Sequence, residues 1–268
     1  MNYARAAWNW GQAASRAVVY GTIALGVGIP TRNRPLLHWC MRRWCAGSAD
    51  GLKINRSLHG EDLIDATPQA IIIANHQSAL DILVIGGYLR RDFRWLAKAS
   101  LFKVPFSGWY LSLAGHIKVH RGQEAHERNR LIKEQIHGVV QDGASVLFFP
   151  EGTRPRNGKM KRFKLGAFLA AVREDLPVLP LVVRGTGDLM EAGANDLSIK
   201  PDRSCSVTAL AAIHPRDFPG DDIVERAMAM RDHTYAIYCR ELGRDAVAEP
   251  LDAEAAQDAR RMERAEHG

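Results

Sequence analysis

The chain has only four cysteines in 268 residues, Cys40, Cys45, Cys205 and Cys239, and no two form a C-x-x-C pair. That spacing excludes a zinc ribbon and a thioredoxin-like centre, and the number is too small for a disulfide framework at this length. The thiols read as buried or idle groups in a reducing compartment. Long apolar runs are missing as well. The longest uncharged stretch near the N-terminus is residues 17–31. As a helix it reaches about 22 Å against a hydrocarbon core of about 30 Å. It is too short to span, and Gly21, Gly26, Gly28 and Pro30 interrupt it. No clear A-x-A site follows it, which argues against a secretory signal peptide. A G-x-x-x-x-G-K-[ST] phosphate loop is absent, so a Mg²⁺ nucleotide site is not indicated. The lack of an aromatic-rich RNA-binding strand and of a zinc motif argues against nucleic acid. Acids are scarce where they are most telling: Asp50 is the first one in the chain.

What is present is a globular composition, 46% hydrophobic and 25% charged, with a mean hydropathy of −0.21. That excludes disorder and a polytopic membrane protein. Lys and Arg outnumber Asp and Glu 36 to 30, a formal charge of +6. The surplus favours an anionic partner: nucleic acid, phosphate or an anionic membrane. Composition alone does not choose among them. The N-terminus says more. Six arginines fall in the first 50 residues, and four of the six tryptophans are Trp8, Trp10, Trp39 and Trp44. Tryptophan favours the headgroup layer and arginine favours anionic lipid. Tyr3, Ala7, Trp10, Ala14 and Ala17 recur at helical spacing. A second helix over 34–46 places Leu37, Cys40, Met41 and Trp44 on one side. The pattern predicts two short helices in one leaflet, a monotopic attachment. The competing arrangement is a helical hairpin packed on the soluble core.

From about residue 59 the pattern becomes α/β. Residues 70–74 (AIIIA), 145–149 (SVLFF) and 178–183 (VLPLVV) are continuous apolar runs, the mark of strands buried on both faces. Residues 93–97, 117–121 and 205–212 also read as strands. Residues 78–89, 124–141 and 221–242 read as helices. Strands alternating with helices predict a mixed, largely parallel sheet covered by helices. The expected organisation is N-terminal membrane-associating helices over 1–58, a catalytic domain over 59–243 and an acidic surface tail over 244–268. From Glu241 onward the tail holds eight acids and four arginines.

Two motifs follow buried strands. The first is Asn75-His76-Gln77-Ser78-Ala79-Leu80-Asp81, a strand-to-helix turn at the sheet edge where α/β proteins place ligands. His76 is of a type that accepts a proton near neutral pH. A carboxylate such as Asp81 fixes its tautomer and stabilises the imidazolium. Five residues along a regular helix would point the two side chains apart, so the pairing requires His76 in the turn and Asp81 in the first helical turn. Ser78 reads as a helix-start serine. The second motif is Phe148-Phe149-Pro150-Glu151-Gly152-Thr153-Arg154, followed by Arg156, Lys159, Lys161, Arg162 and Lys164 with no acid among them. Its turn presents backbone N–H groups, and Arg154 offers a fork suited to phosphate. On the same sheet edge as His76, it reads as an anion site rather than a solvated basic loop.

Strand–N-H-x4-D–helix, then Gly115-His116-Ile117-Lys118-Val119-His120-Arg121, then F-P-E-G-T-R, then Leu176-Pro177-Val178-Leu179-Pro180-Leu181, resembles the glycerolipid acyltransferase family, and within it the lysophosphatidate acyltransferases. The resemblance covers roughly residues 70–185. Linking segments agree as well: Lys98 in A-K-A-S-L, Val104-Pro105-Phe106, and Phe163-Lys164-Leu165-Gly166-Ala167. His120 stands where the family often has Asp, a departure that bears on the choice of lysolipid.

The resemblance implies acyl transfer from a thioester, acyl-CoA or acyl carrier protein, to the sn-2 hydroxyl of lysophosphatidate. His76 is then the general base and Asp81 its orienting carboxylate. Lys98, Arg121 and Arg154 lie on the phosphate side, and Glu151, Gly152 and Thr153 shape that pocket. Neither a metal nor a cofactor is expected, the thioester being a co-substrate. The partners are a lysophospholipid, the acyl donor and a membrane surface, with the catalytic domain on the cytoplasmic face of the inner membrane. Leu101, Phe102, Phe106, Trp109 and Tyr110 are candidates to line an acyl tunnel, with core packing the competing role. Transfer to another lysolipid, such as a lyso-ornithine lipid, is the alternative. A lipid hydrolase and a non-catalytic membrane-binding module stand further off.

Overall fold

The apolar runs of the mid-chain become the inner strands of one sheet. The computed structural model describes residues 3–105, 107–120, 125–154, 160–190, 199–200, 203–243 and Arg260. In chain order the elements are α1 (Tyr3–Ile23) running into a π-helical turn (Ala24–Gly28), α2 (Arg34–Gly51), β1 (Asn55–His59), α3 (Glu61–Asp65), β2 (Ile71–Ala74), α4 (Leu80–Tyr88), β3 (Phe93–Lys98) and a 3₁₀ turn (Ala99–Lys103). Then come α5 (Ser107–Leu113), β4 (Ile117–Val119), α6 (Ala125–Gln141), β5 (Ser145–Phe148), α7 (Gly166–Arg173), β6 (Val178–Arg184), α8 (Thr186–Leu189), β7 (Ser204–Ala209), a 3₁₀ turn (Pro215–Asp217) and α9 (Ile223–Glu241).

Among the described residues seven strands lie in the order β1-β7-β6-β2-β5-β3-β4. Of these, β6 and β7 pair antiparallel and the other neighbours pair parallel. The sheet is therefore mixed and largely parallel, as the alternation of runs predicts. In β2, Ile72 lies between Leu147 of β5 and Leu179 of β6. Strand side chains alternate between faces. Ile71 and Ile73 pack with Ile136 and Val140 of α6, Phe168 of α7 and Met230 of α9. Ile72 and Ala74 pack on the other face with Val84 of α4 and with Met41 and Cys45 of α2. Burying one such isoleucine contributes roughly 1.5–3 kcal/mol, which is why this run cannot shift register without exposing a core face. The phenol of Tyr238 ties α9 to the sheet centre, reaching the carbonyls of Ile73 (2.9 Å) and Leu181 (3.1 Å).

Several boundaries differ from expectation. Strand β1, Asn-Arg-Ser-Leu-His, is absent from the sequence reading; it is a polar edge strand without a continuous apolar signal. Helix α4 starts at Leu80 rather than 78; Ser78 stays in the turn before it, where its Oγ accepts the Leu80 N–H at 3.3 Å. Strand β4 stops at Val119, and β7 runs 204–209 rather than 205–212. The tail lies outside the described residues except for Arg260, which pairs with Asp222 and Glu225 at the start of α9.

The N-terminal helical pair is present, and it packs on the α/β core. The Trp44 indole donates to the Ala13 carbonyl at 3.2 Å, and the Gln12 amide to the Gly51 carbonyl at 2.9 Å, so α1 lies along α2. At the hairpin, a Cβ on Gly28 would stand 2.6 Å from the Leu37 side chain, so any larger residue there would push that side chain aside. Met41, Cys45, Ala49 and Leu52 of the α2 region belong to the same core as Ile72. The expected division at residue 58 therefore falls inside one shared core. The outer surface of the pair stays apolar, with Trp8, Trp10, Val18, Val19, Val27 and Trp39 exposed. Among the described residues no helix is long and apolar enough to cross a membrane.

Candidate active site

Strands β2, β3, β4, β5 and β6 point the same way, so their C-terminal ends share one edge of the sheet. His76 follows β2, Glu151 follows β5 and Lys98 ends β3. The turn after β2 is built from its own side chains. The Asn75 amide imitates a peptide, donating to the Val183 carbonyl (2.9 Å) and accepting the Val183 N–H (2.8 Å), and so extends the β2–β6 pairing by one residue. The next residue, His76, is released from the sheet and turns toward α4.

Asp81 is buried in the first turn of α4. Its Oδ2 accepts from His76 Nδ1 at 2.7 Å and from the backbone N–H groups of Gln77 (2.7 Å) and Ser78 (2.9 Å). Its Oδ1 accepts from the Thr186 hydroxyl. These four donors fix both carboxylate oxygens. A carboxylate surrounded by donors only accepts, so Nδ1 carries the imidazole proton and Nε2 carries the lone pair. No described group bonds Nε2. Phe149 lies flat against the imidazole, centroids 4.0 Å apart and planes 17° from parallel, and Trp95 continues the stack behind it at 6.0 Å. The ring is thus held at Nδ1 and across one face.

Glu151 joins the two motifs. Its Oε1 accepts the His76 N–H at 2.8 Å and its Oε2 the Lys161 N–H at 2.9 Å. Burial pushes its carboxyl above the usual range, against the pull of these two N–H groups. Gly152 has φ +73°, and a Cβ there would press on the Lys164 side chain at 3.0 Å, so glycine suits both the turn and the crossing lysine. The Lys161 ammonium donates to the Thr153 hydroxyl at 2.8 Å. Arg154 and Lys98 are exposed at this edge. Arg121 lies outside the described residues. No cluster of three or more His, Cys, Asp or Glu side chains able to hold a metal occurs among the described residues.

The structure thus brings His76, Asp81 and Glu151 into one network, with Gly152 and Thr153 beside it. Three participants escaped the sequence reading: Thr186, Phe149 as a stacking partner, and Trp95. A signal for Thr186 existed in principle, since a buried carboxylate needs donors on both oxygens, but nothing in the sequence says which residue supplies the second. Four of the suggested tunnel residues lie where they can be described. Leu101 and Trp109 are exposed. Tyr110 turns inward and donates to the Leu37 carbonyl at 3.1 Å, and Phe102 is half-buried beneath the Lys118 ammonium. Successive helical residues point about 100° apart, so Trp109 faces out where Tyr110 faces in. Phe106 lies outside the described residues.

The known proteins that this chain is similar to are acyltransferases. The Acyltransferase family profile matches residues 55–184, which span β1 to the end of β6. A 1-acyl-sn-glycerol-3-phosphate acyltransferase of Chlamydomonas reinhardtii is 37% identical over 157 residues, 58% of this chain and 46% of the relative. One from Pseudomonas aeruginosa is 32% identical over 174 residues, 63% of this chain and 66% of the relative. The chain spans about half the length of the Chlamydomonas protein and of a chloroplastic relative from Arabidopsis thaliana (46% of each). In fold it is similar to the crystal structure of the 1-acyl-sn-glycerophosphate acyltransferase of Thermotoga maritima, with a TM-score of 0.74 at 23% identity, covering 90% of this chain and 95% of that one. With the N-H-x4-D and F-P-E-G-T-R turns side by side at this sheet edge, the chain belongs to the glycerolipid acyltransferase family.

Proposed function

We propose that the protein transfers an acyl group from a thioester, acyl-CoA or acyl carrier protein, to the sn-2 hydroxyl of lysophosphatidate, yielding phosphatidate. The observation that carries this is the His76 imidazole, anchored at Nδ1 by Asp81 (2.7 Å) with Nε2 left unbonded by any described group. It stands beside a turn of basic side chains. A hydroxyl is a poor nucleophile, and Nε2 removes its proton as the oxygen attacks the thioester carbonyl. Asp81 stabilises the imidazolium that results. Collapse of the tetrahedral intermediate breaks the C–S bond, and the thiolate takes up the proton. No protein nucleophile, metal or cofactor takes part in this scheme. Arg154, Lys98 and Arg121 serve the phosphate, and the Glu151-Gly152-Thr153 turn shapes its pocket. The relatives named above, each a 1-acyl-sn-glycerol-3-phosphate acyltransferase, support this choice of acceptor.

In the same reading the exposed tryptophans and arginines of the N-terminal pair hold the protein on the cytoplasmic face of the inner membrane. The test is an acceptor panel with one acyl-CoA, following thiol release. Release that depends on lysophosphatidate, and exceeds that with zwitterionic or lyso-ornithine acceptors, is expected. Equal release without any acceptor would assign a thioester hydrolase instead.

A further inference from the structure

A second apolar surface lies outside the N-terminal pair. The segment from the 3₁₀ turn through α5 leaves Leu101 46%, Val104 45%, Trp109 52% and Leu113 55% exposed. Trp109 and Leu113 are four residues apart and share one face of α5; beside that face Tyr110 turns inward, its hydroxyl tied to the Leu37 carbonyl of α2. That tie, and the packing of α5 against α1 and its π-helical turn, make this surface adjoin the helical pair. Its other end follows Lys98, on the sheet edge that carries His76. Its charge is one-sided: the segment 93–123 contains no acid, and the exposed Lys98 and Lys103 stand beside its apolar side chains.

We propose that residues 99–113 form a second docking surface, on the catalytic portion itself, that seats the protein on an anionic lipid leaflet. Exposed Trp and Leu side chains beside lysine suit the headgroup boundary, and an acid-free segment is drawn to anionic lipid. A second copy of the chain would set two equally basic surfaces against each other, which like charge opposes. Docked on both surfaces, the protein holds the His76 edge near the leaflet, where a lysolipid acceptor resides. That use of the surface rests on the acyl-transfer reading, whereas its binding to lipid is measured without turnover.

The test uses the full chain and vesicles of phosphatidylcholine with and without phosphatidylglycerol, read by co-sedimentation. Leu113→Glu and Val104→Glu are each expected to weaken partitioning onto the anionic vesicles about tenfold, the order of cost for a charge in place of an apolar residue at the interface. A Leu113→Cys variant carrying a polarity-sensitive dye is expected to shift to the blue with the same vesicles; the four native cysteines are buried and do not compete for label. Unchanged partitioning in both Glu variants with no dye shift overturns the proposal. So does a mass in solution that Leu113→Glu halves while vesicle binding stays the same, which assigns the surface to self-association. Turnover of a short-chain, monomeric lysophosphatidate is expected to be equal in wild type and Leu113→Glu. Its absence from both strikes the acyl-transfer reading and leaves the vesicle result standing.

Discussion

The imidazole of His76 and the ring of Phe149 lie face to face, 4.0 Å between centroids. They come from neighbouring strands whose register pairs Ile73 with Phe148, so the sheet itself sets the contact. The face of a phenyl ring attracts a cation, worth about 0.5–2 kcal/mol depending on solvation. In the proposed reaction the imidazole is cationic only as the bond to oxygen forms, so this attraction favours the transition state over the ground state.

Phe149→Leu is therefore expected to lower kcat up to about tenfold, which corresponds to about 1.4 kcal/mol, with KM for both substrates near the wild-type value. Phe149→Tyr keeps the ring and is expected to retain most of kcat. Steady-state kinetics with both substrates varied check this; a rise in KM alone contradicts it.

Thr186 acts on His76 through Asp81. Its hydroxyl is the donor to Asp81 Oδ1, from the first residue of α8. Thr186→Val keeps the volume and leaves a buried carboxylate oxygen unpaired, at a cost of about 1–3 kcal/mol. A lower melting temperature and a fall in kcat of about tenfold or more are expected, with Thr186→Ser restoring both. A Ser variant as impaired as the Val variant would show that the methyl group, not the hydroxyl, is what matters.

Glu151 needs both of its oxygens as acceptors, for the N–H groups of His76 and Lys161. Glu151→Gln sets an amide N–H₂ against one of these donors. The turn that carries Gly152 and Thr153 loosens, and KM for lysophosphatidate is expected to rise about tenfold, the loss of about one charged hydrogen bond. An unchanged KM in Glu151→Gln, measured at saturating acyl-CoA, removes this turn from acceptor binding.

The central strands were readable because burial on both faces leaves an uninterrupted apolar run, as in Ile71–Ala74. Strand β1 was not, since an edge strand has no such demand. The turn chemistry was half readable. His76 and Asp81 are five residues apart, and the strand-to-helix turn that joins them is signalled by the residues between them. Thr186 and Val183 reach the same turn from more than a hundred residues away, through a β2–β6 pairing that no local pattern announces. The N-terminal helices were readable as helices, but which face α2 buries depended on α4, and the outward turn of Trp109 depended on α5 docking through Tyr110.

His116 gives a prediction about acid stability. It is buried before β4, its Nδ1 accepts the Trp95 N–H at 3.1 Å, and burial, reinforced by Arg94, pushes its pKa down to about 3. In the unfolded chain a histidine titrates near 6.5. Between these values the unfolded state binds the extra proton, so stability rises with pH across that window and is lost as pH falls from about 6.5 toward 3, by up to about 1.4 kcal/mol per unit. His116→Gln, whose carbonyl can still accept the Trp95 N–H, is expected to flatten this slope. His38, also lowered by burial, keeps a remainder. Urea midpoints measured from pH 7 to pH 4 decide it, and equal slopes in both proteins contradict the assignment.

The most direct measurement for the whole account is thiol release from acyl-CoA in the presence of lysophosphatidate, comparing wild type with His76→Ala. Acceptor-dependent release in the wild type and a loss of about a hundredfold to ten-thousandfold in the variant, the scale for removing a general base, is the predicted result. Equal rates in the two proteins, with both folded, would contradict the role of His76 and with it the proposed mechanism.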